Sequence, residues 1–202
     1  MALINIRQRV TKDSAKFERF ISSDSSVLLS DGNIVEDWSI ELTLGDYWTA
    51  KPASEPPRMY PSEFGEVGIG PHSSVLIEVK EHLRVPNNMF GFLLPKGKLL
   101  LEHGILMATT KIEPRYEGRL RILLYNTTSN KQYLKRGMVI ASSVFLSTSV
   151  TLMGRELKTR GEPLRIDRTV YQKVRAALAG HFWTIVSTAI AFAALLVSVF
   201  KE

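Results

Sequence analysis

Between Trp38 and Leu152 the chain breaks into short segments rich in Ile, Val, Leu and aromatic residues, and no convincing long helix interrupts them. They read WSIELTLG, SSVLIEVK, MFGFLLP, GILMATT, RLRILLYN and GMVIASSVFL, separated by Gly, Pro, Asn and Ser. β-Branched and aromatic side chains suit a pleated surface and lose rotamer freedom in a helix. Many short strands with frequent turn residues leave an all-β sandwich or barrel as the fold class. At 202 residues the chain holds one such domain plus an appendage. Residues 49–72, TAKPASEPPRMYPSEFGEVGIGPH, carry most of the prolines and read as a long exposed loop. Ahead of the strands, residues 7–21 space Val10, Phe17, Phe20 and Ile21 as a short amphipathic helix does.

The C-terminal end is of another character. From Phe182 to Phe200, FWTIVSTAIAFAALLVSVF contains no charge, and a helix of that length spans roughly 28 Å, close to the hydrocarbon thickness of a bilayer. The run predicts a transmembrane helix, with Trp183 at the interface. Upstream lie Arg155, Lys158, Arg160, Arg165, Arg168, Lys173 and Arg175, whereas only Lys201 and Glu202 follow. Positive charge favours the cytoplasmic side, so the expectation is a single-pass, tail-anchored protein with its N-terminal domain in the cytoplasm. The formal net charge is +6. Much of it sits beside the apolar run, which favours anionic lipid headgroups over nucleic acid as its partner. From Asp167, a helix with Val170, Val174, Ala177 and Leu178 on one side leads into the span. The N-terminal start shows no secretory signal pattern. The chain thus divides into an N-terminal segment (1–29), a β-domain (30–152), a basic linker and helix (153–180) and an anchor (181–202).

Chemistry is sparse. Cysteine is absent and the four histidines are scattered, so no metal site is expected from the side chains. The stretch 119–126 alternates, placing Leu120, Ile122 and Leu124 on a core face. Its other face carries Arg119, Arg121, Leu123 and Tyr125 and meets a ligand, solvent or a neighbouring subunit. Glu113 and Glu117 are acids of the preceding turn, and Glu41, inside an apolar strand, reads as a buried structural acid paired with an arginine.

Three stretches together resemble the superfamily of dCTP deaminases and dUTPases: WSIELTLGDYW (38–48), VPNNMFGFLLPKGKLLLEHGI (85–105) and TKIEPRYEGRLRILLYNTTSNKQYLKRGMVIASSVF (110–145). The resemblance implies a distorted jelly-roll β-barrel, a homotrimer, deoxynucleotide sites between subunits and Mg²⁺ bridging the triphosphate. It places Lys96, Gly97 and Lys98 in the phosphate-handling segment, where the family typically has arginine and serine. Arg119, Arg121 and Tyr125 then line the nucleotide pocket. Glu113 stands where triphosphatases hold the aspartate that orients water. Leu123 stands where deaminases hold the general-base glutamate, and an aliphatic side chain accepts no proton. The function expected is a membrane-anchored deoxynucleotide-binding protein with weakened or lost catalysis, acting as a sensor or effector. The alternatives are a membrane-tethered dUTPase-like triphosphatase and a non-catalytic assembly scaffold.

Overall fold

The computed structural model describes residues 2–15, 17, 27–29, 35–50, 57–62, 64–147 and 163–166. In chain order its elements are β1 (Ala2–Leu3), β2 (Val10–Thr11), β3 (Val27–Leu29), β4 (Ile40–Thr49), β5 (Arg58–Pro61), β6 (Glu66–Ile69), β7 (Ser74–Arg84), β8 (Met89–Pro95), α1 (Gly97–His103), β9 (Ile105–Met107), β10 (Thr110–Ile112), β11 (Glu117–Asn126), β12 (Gln132–Lys135), β13 (Val139–Ser147) and β14 (Leu164–Arg165). Twelve of the strands form one sheet along the path β10-β8-β13-β4-β7-β11-β9, and β12 pairs with β6 in a second. The fold is all-β, and the large sheet curls into a half-barrel around the core. β1 pairs with β13, β3 with β7 and β14 with β5, so strands on both sides of 30–152 join the sheet.

The core follows from the alternation. On β11, Leu120, Ile122 and Leu124 are buried, as their period-two spacing predicts, and opposite Leu124 and Ile122 on β7 lie the buried Val75 and Ile77. Each such side chain, fully buried, contributes roughly 1.5–3 kcal/mol. β4 passes through the middle of the sheet and is buried on both faces from Ile40 to Gly45. It crosses β7 so closely that a Cβ on Gly45 would lie 2.6 Å from the carbonyl oxygen of Glu78.

Three sequence expectations are corrected. Residues 7–21 do not begin as a helix: Ile6–Arg9 form a 3₁₀ turn and Val10–Thr11 pair as β2 with β3. Helical backbone starts only after Asp13, whose carboxylate accepts from the Ala15 amide, while the Phe17 amide bonds the Asp13 carbonyl. The stretch 49–72 is not a bare loop. It contains β5 and β6, with Met59, Val67 and Ile69 fully buried. Glu41 is buried as expected, but its partner is Lys96 rather than an arginine. Among the described residues no helix is long and apolar enough to cross a membrane. The apolar run 182–200 and, apart from 163–166, the linker 153–180 lie outside the described residues.

Candidate functional site

The outward face of β11 is the best-defined candidate. Arg119, Arg121, Leu123 and Tyr125 alternate with the buried leucines and isoleucine, so the predicted residues of this strand do share one face. Leu123 is 45% exposed and Tyr125 40%. The register sets Leu123 beside Leu76 of β7, and Tyr125 between Ser74 of β7 and Leu106 of β9. An apolar strip therefore runs across three strands at this end of β11. Towards the other end the face becomes ionic. Arg119 Nε donates to the Lys80 carbonyl (2.9 Å), and Arg121 lies directly across from Glu78.

Glu78 and its neighbours escaped sequence reasoning. Glu78 is almost fully buried, and Arg165 of β14 grips it with both arms of its guanidinium, Nε to Oε1 and Nη2 to Oε2, each at 3.1 Å. The same guanidinium lies 5.9 Å from the centre of the Tyr47 ring. Nearby Tyr116 has its phenol pushed up to about 12, mainly by burial; Arg121 pulls it down and Glu78 adds to the rise. The only sequence signal for this cluster was an acid inside the apolar run LIEVKE. Arg165 gave none, being one cation among many in a basic stretch.

The phosphate-handling candidates are engaged elsewhere. Lys96 is ion-paired with Glu41, which also accepts from Ser39 Oγ (3.0 Å) and Ser142 Oγ (2.8 Å). Gly97 opens α1, and a Cβ there would meet nothing within 4 Å. Lys98 points outward, 3.7 Å from Glu102 one turn on. Glu113 occupies a built turn: the Tyr116 amide bonds its carbonyl, Arg115 adopts φ 64°, and Val85 exchanges hydrogen bonds with Arg115 and Tyr116. The Glu113 carboxylate is half-exposed and 3.1 Å from Lys111 Nζ.

At the far end of β11 the side chain of fully buried Asn126 organises the next loop. Its Nδ2 donates to the carbonyls of Ile69, Gly70 and Asn130, and its Oδ1 accepts from the amide and hydroxyl of Thr128. The loop is tied to α1 as well, because the Thr127 amide and hydroxyl both reach the carbonyl of Gly104.

This order of strands, with the Pro-Asn turn before β8 and the Asn that closes β11, agrees with the comparison to known proteins. Residues 30–148, more than half of the chain, match the dCTP deaminase-like family. The chain belongs to that family. It is 36% identical over 62 residues to the deoxyuridine 5′-triphosphate nucleotidohydrolase of Paramecium bursaria Chlorella virus 1, covering 31% of this chain and 44% of the relative. It is 32% identical over 93 residues to the dCTP deaminase of Pyrobaculum arsenaticum, covering 46% and 49%. The chain thus spans about half the length of these curated relatives. In fold it is similar to the 2′-deoxycytidine 5′-triphosphate deaminase of Agrobacterium tumefaciens, with a TM-score of 0.51 at 14% identity over 71% of this chain and 46% of that one.

Seen as a member of the dCTP deaminase-like family, the chain does not gather the expected site residues within one copy. Ile112 of β10 pairs with Gly91 of β8, and Lys96 follows Gly91 by five residues. Glu113, one residue beyond Ile112, is six residues from the level of Lys96, and at about 3.4 Å per residue the two are separated by roughly 20 Å along the hairpin. The face of β11 and the Glu113 turn adjoin in sequence, whereas Lys96 lies at the other end of β8 from Glu113. Among the described residues no three His, Asp or Glu side chains converge to hold a metal.

Proposed function

We propose that this chain is a deoxynucleotide-binding member of the dCTP deaminase-like family whose recognition surface has outlived its deamination chemistry. The observation that carries the reading is Leu123: it is exposed beside Arg121 and Tyr125, on the face where the family resemblance calls for a proton-accepting glutamate. What surrounds it suits binding. Arginines attract a polyphosphate and the Tyr125 ring offers a stacking surface. The roughly 20 Å between Glu113 and Lys96 along the hairpin supports a site shared between copies, as in the homotrimer the resemblance implies. Mg²⁺ in this reading belongs to the triphosphate.

In this reading the apolar run 182–200 anchors the protein in a membrane, with the N-terminal domain cytoplasmic; the support is its length, its lack of charge and the basic cluster ahead of it. Partition of the full chain into detergent-soluble membrane fractions, lost on removal of 182–200, tests the anchor. Thermal shift with a panel of deoxynucleoside triphosphates tests the binding, because a ligand at a hundred times its Kd adds about 2.7 kcal/mol. Ammonia release from dCTP would overturn the reading. The retained acid at Glu113, held in an ordered turn, favours as a second reading a tethered dUTPase-like hydrolase. Its signature is pyrophosphate release that Glu113→Ala abolishes.

A further inference from the structure

The β14 strand is held to the barrel by very little. Its residues Leu164 and Arg165 are exposed, Leu164 being 54% accessible, and only the flanking Pro163 and Ile166 are partly buried. Backbone pairing with β5 secures it: Leu164 N–H bonds the Pro57 carbonyl (3.2 Å) and Ile166 N–H the Met59 carbonyl (3.1 Å), either side of the Leu164–Arg58 and Arg165–Met59 pairs of the ladder. To these Arg165 adds its place over the Tyr47 ring and its two-armed grip on Glu78, whose carboxylate would otherwise stand in a nearly dry site. A two-residue strand with both side chains exposed lies towards the low end of local stability, and the bidentate pair of Arg165 with buried Glu78 is a main contribution to its docking.

Glu78 also faces the candidate site. Arg121 lies across from it on β11, and both act electrostatically on Tyr116. The planar fork of a guanidinium fits carboxylate and phosphate with the same geometry. A triphosphate drawn to this arginine-bearing face cannot share the fork with Glu78, since like charges repel. Arg165 therefore has two claimants, and only one of them keeps β14 in place.

We propose that β14 is a latch: Arg165 clasps Glu78 to hold the C-terminal segment on the sheet, and a triphosphate that takes over Arg165 releases it. The proposal rests on the nucleotide-binding reading for its natural ligand, but the clasp itself does not. A ligand that reaches Arg165 only in the released state supplies the differential affinity that a population shift requires.

Hydrogen exchange on the full-length protein in detergent, resolved at Leu164 and Ile166, tests both halves. Glu78→Gln and, from the exposed side, Arg165→Ala are expected to accelerate exchange at these amides about tenfold or more, with β7 and β11 protection unchanged. No acceleration in either variant, with the sheet still protected, overturns the clasp. Sodium tripolyphosphate, dCTP and dUTP are then added separately to the wild type. Acceleration by tripolyphosphate or by a nucleotide supports the release, and acceleration by none overturns it. Thermal shifts on the same samples separate the two readings. A nucleotide that stabilises the protein without moving these amides refutes the latch alone. A response to tripolyphosphate with no nucleotide shift supports the latch and refutes the nucleotide-binding reading.

Discussion

Asn126 offers the sharpest test of how the end of β11 is built. Its two amide hydrogens are shared among three carbonyls, those of Ile69, Gly70 and Asn130, at 3.1, 2.9 and 2.7 Å. Asn126→Asp keeps the acceptor that Thr128 uses and removes every donor, setting a carboxylate against three carbonyl oxygens in a fully buried place. Leaving a buried polar group unsatisfied costs about 1–3 kcal/mol, and at least two carbonyls lose their partner. The expected loss is about 3–5 kcal/mol, a large part of the stability of an ordinary domain. Protonation restores one donor. The introduced carboxyl is therefore pushed up in the folded state, and the difference from wild type shrinks as pH falls towards 4. Urea unfolding of the detergent-solubilised full chain, followed by tryptophan fluorescence at pH 7 and pH 4.5, measures both quantities. A loss under 1 kcal/mol at pH 7, or a difference independent of pH, would refute the donor argument.

Gly104 ends α1 at φ 61°, and an added Cβ would come within 2.3 Å of Thr128 Cγ2. Gly104→Ala is expected to cost about 2–4 kcal/mol, and Thr128→Ser in the same chain to recover part of it by removing that methyl. Lys96→Ala leaves buried Glu41 with only its serine donors; because Lys96 is about a third exposed, the discounted loss is about 1–3 kcal/mol, read from the urea midpoint and partly restored by adding Glu41→Gln. Tyr116, pushed up to about 12 from an ordinary 10.0, is neutral in both states below pH 10. Between pH 10 and 12 the unfolded chain loses that proton first, so stability falls by at most about 2–3 kcal/mol. Comparison with Tyr116→Phe across that range should show the slope reduced in the variant.

Strands whose residues obey one clear period were legible. MFGFLLP coincides with β8, and the alternation in RLRILLYN sorted every side chain of that stretch to its observed face. Proline density hid β5. Arg58, Met59, Tyr60 and Pro61 alternate outward and inward, but Pro61 lies beyond the two residues that β14 pairs, where a missing amide costs no ladder bond. β4 and β7 slip register between Leu44 and Trp48, and such irregularities cannot be read from one strand alone because they depend on the partner. The candidate site divides in the same way. The β11 face follows from local spacing, whereas the grip of Arg165 on Glu78 joins residues 87 positions apart, and neither carries a local mark of the other.

That long-range pair bears directly on proton transfer. A general base needs a carboxylate whose lone pairs are open to a water or substrate proton. The acids on and beside β11 are each paired: Glu78 with Arg165, Glu117 with Arg84 and Glu113 with Lys111. Glu78 is occupied at both oxygens in a buried position, so it does not replace the base that Leu123 lacks while the clasp is closed. Tyr116, with its phenol near 12, holds its proton at neutral pH. Guanidiniums, a neutral phenol, an apolar strip and His82, across from Arg119, remain on this side of the sheet; in the proposed reading the guanidiniums, phenol and apolar strip serve an anion and a base without moving a proton. Glu113 and Glu117 are the solvent-facing acids of this group; Lys111, the partner of Glu113, is itself half-exposed and exchanges readily for solvent, whereas Arg84, the partner of Glu117, is mostly buried over the Phe17 ring. In the proposed reading, therefore, any surviving hydrolysis draws on the acids of the turn before β11, and the strand itself serves recognition.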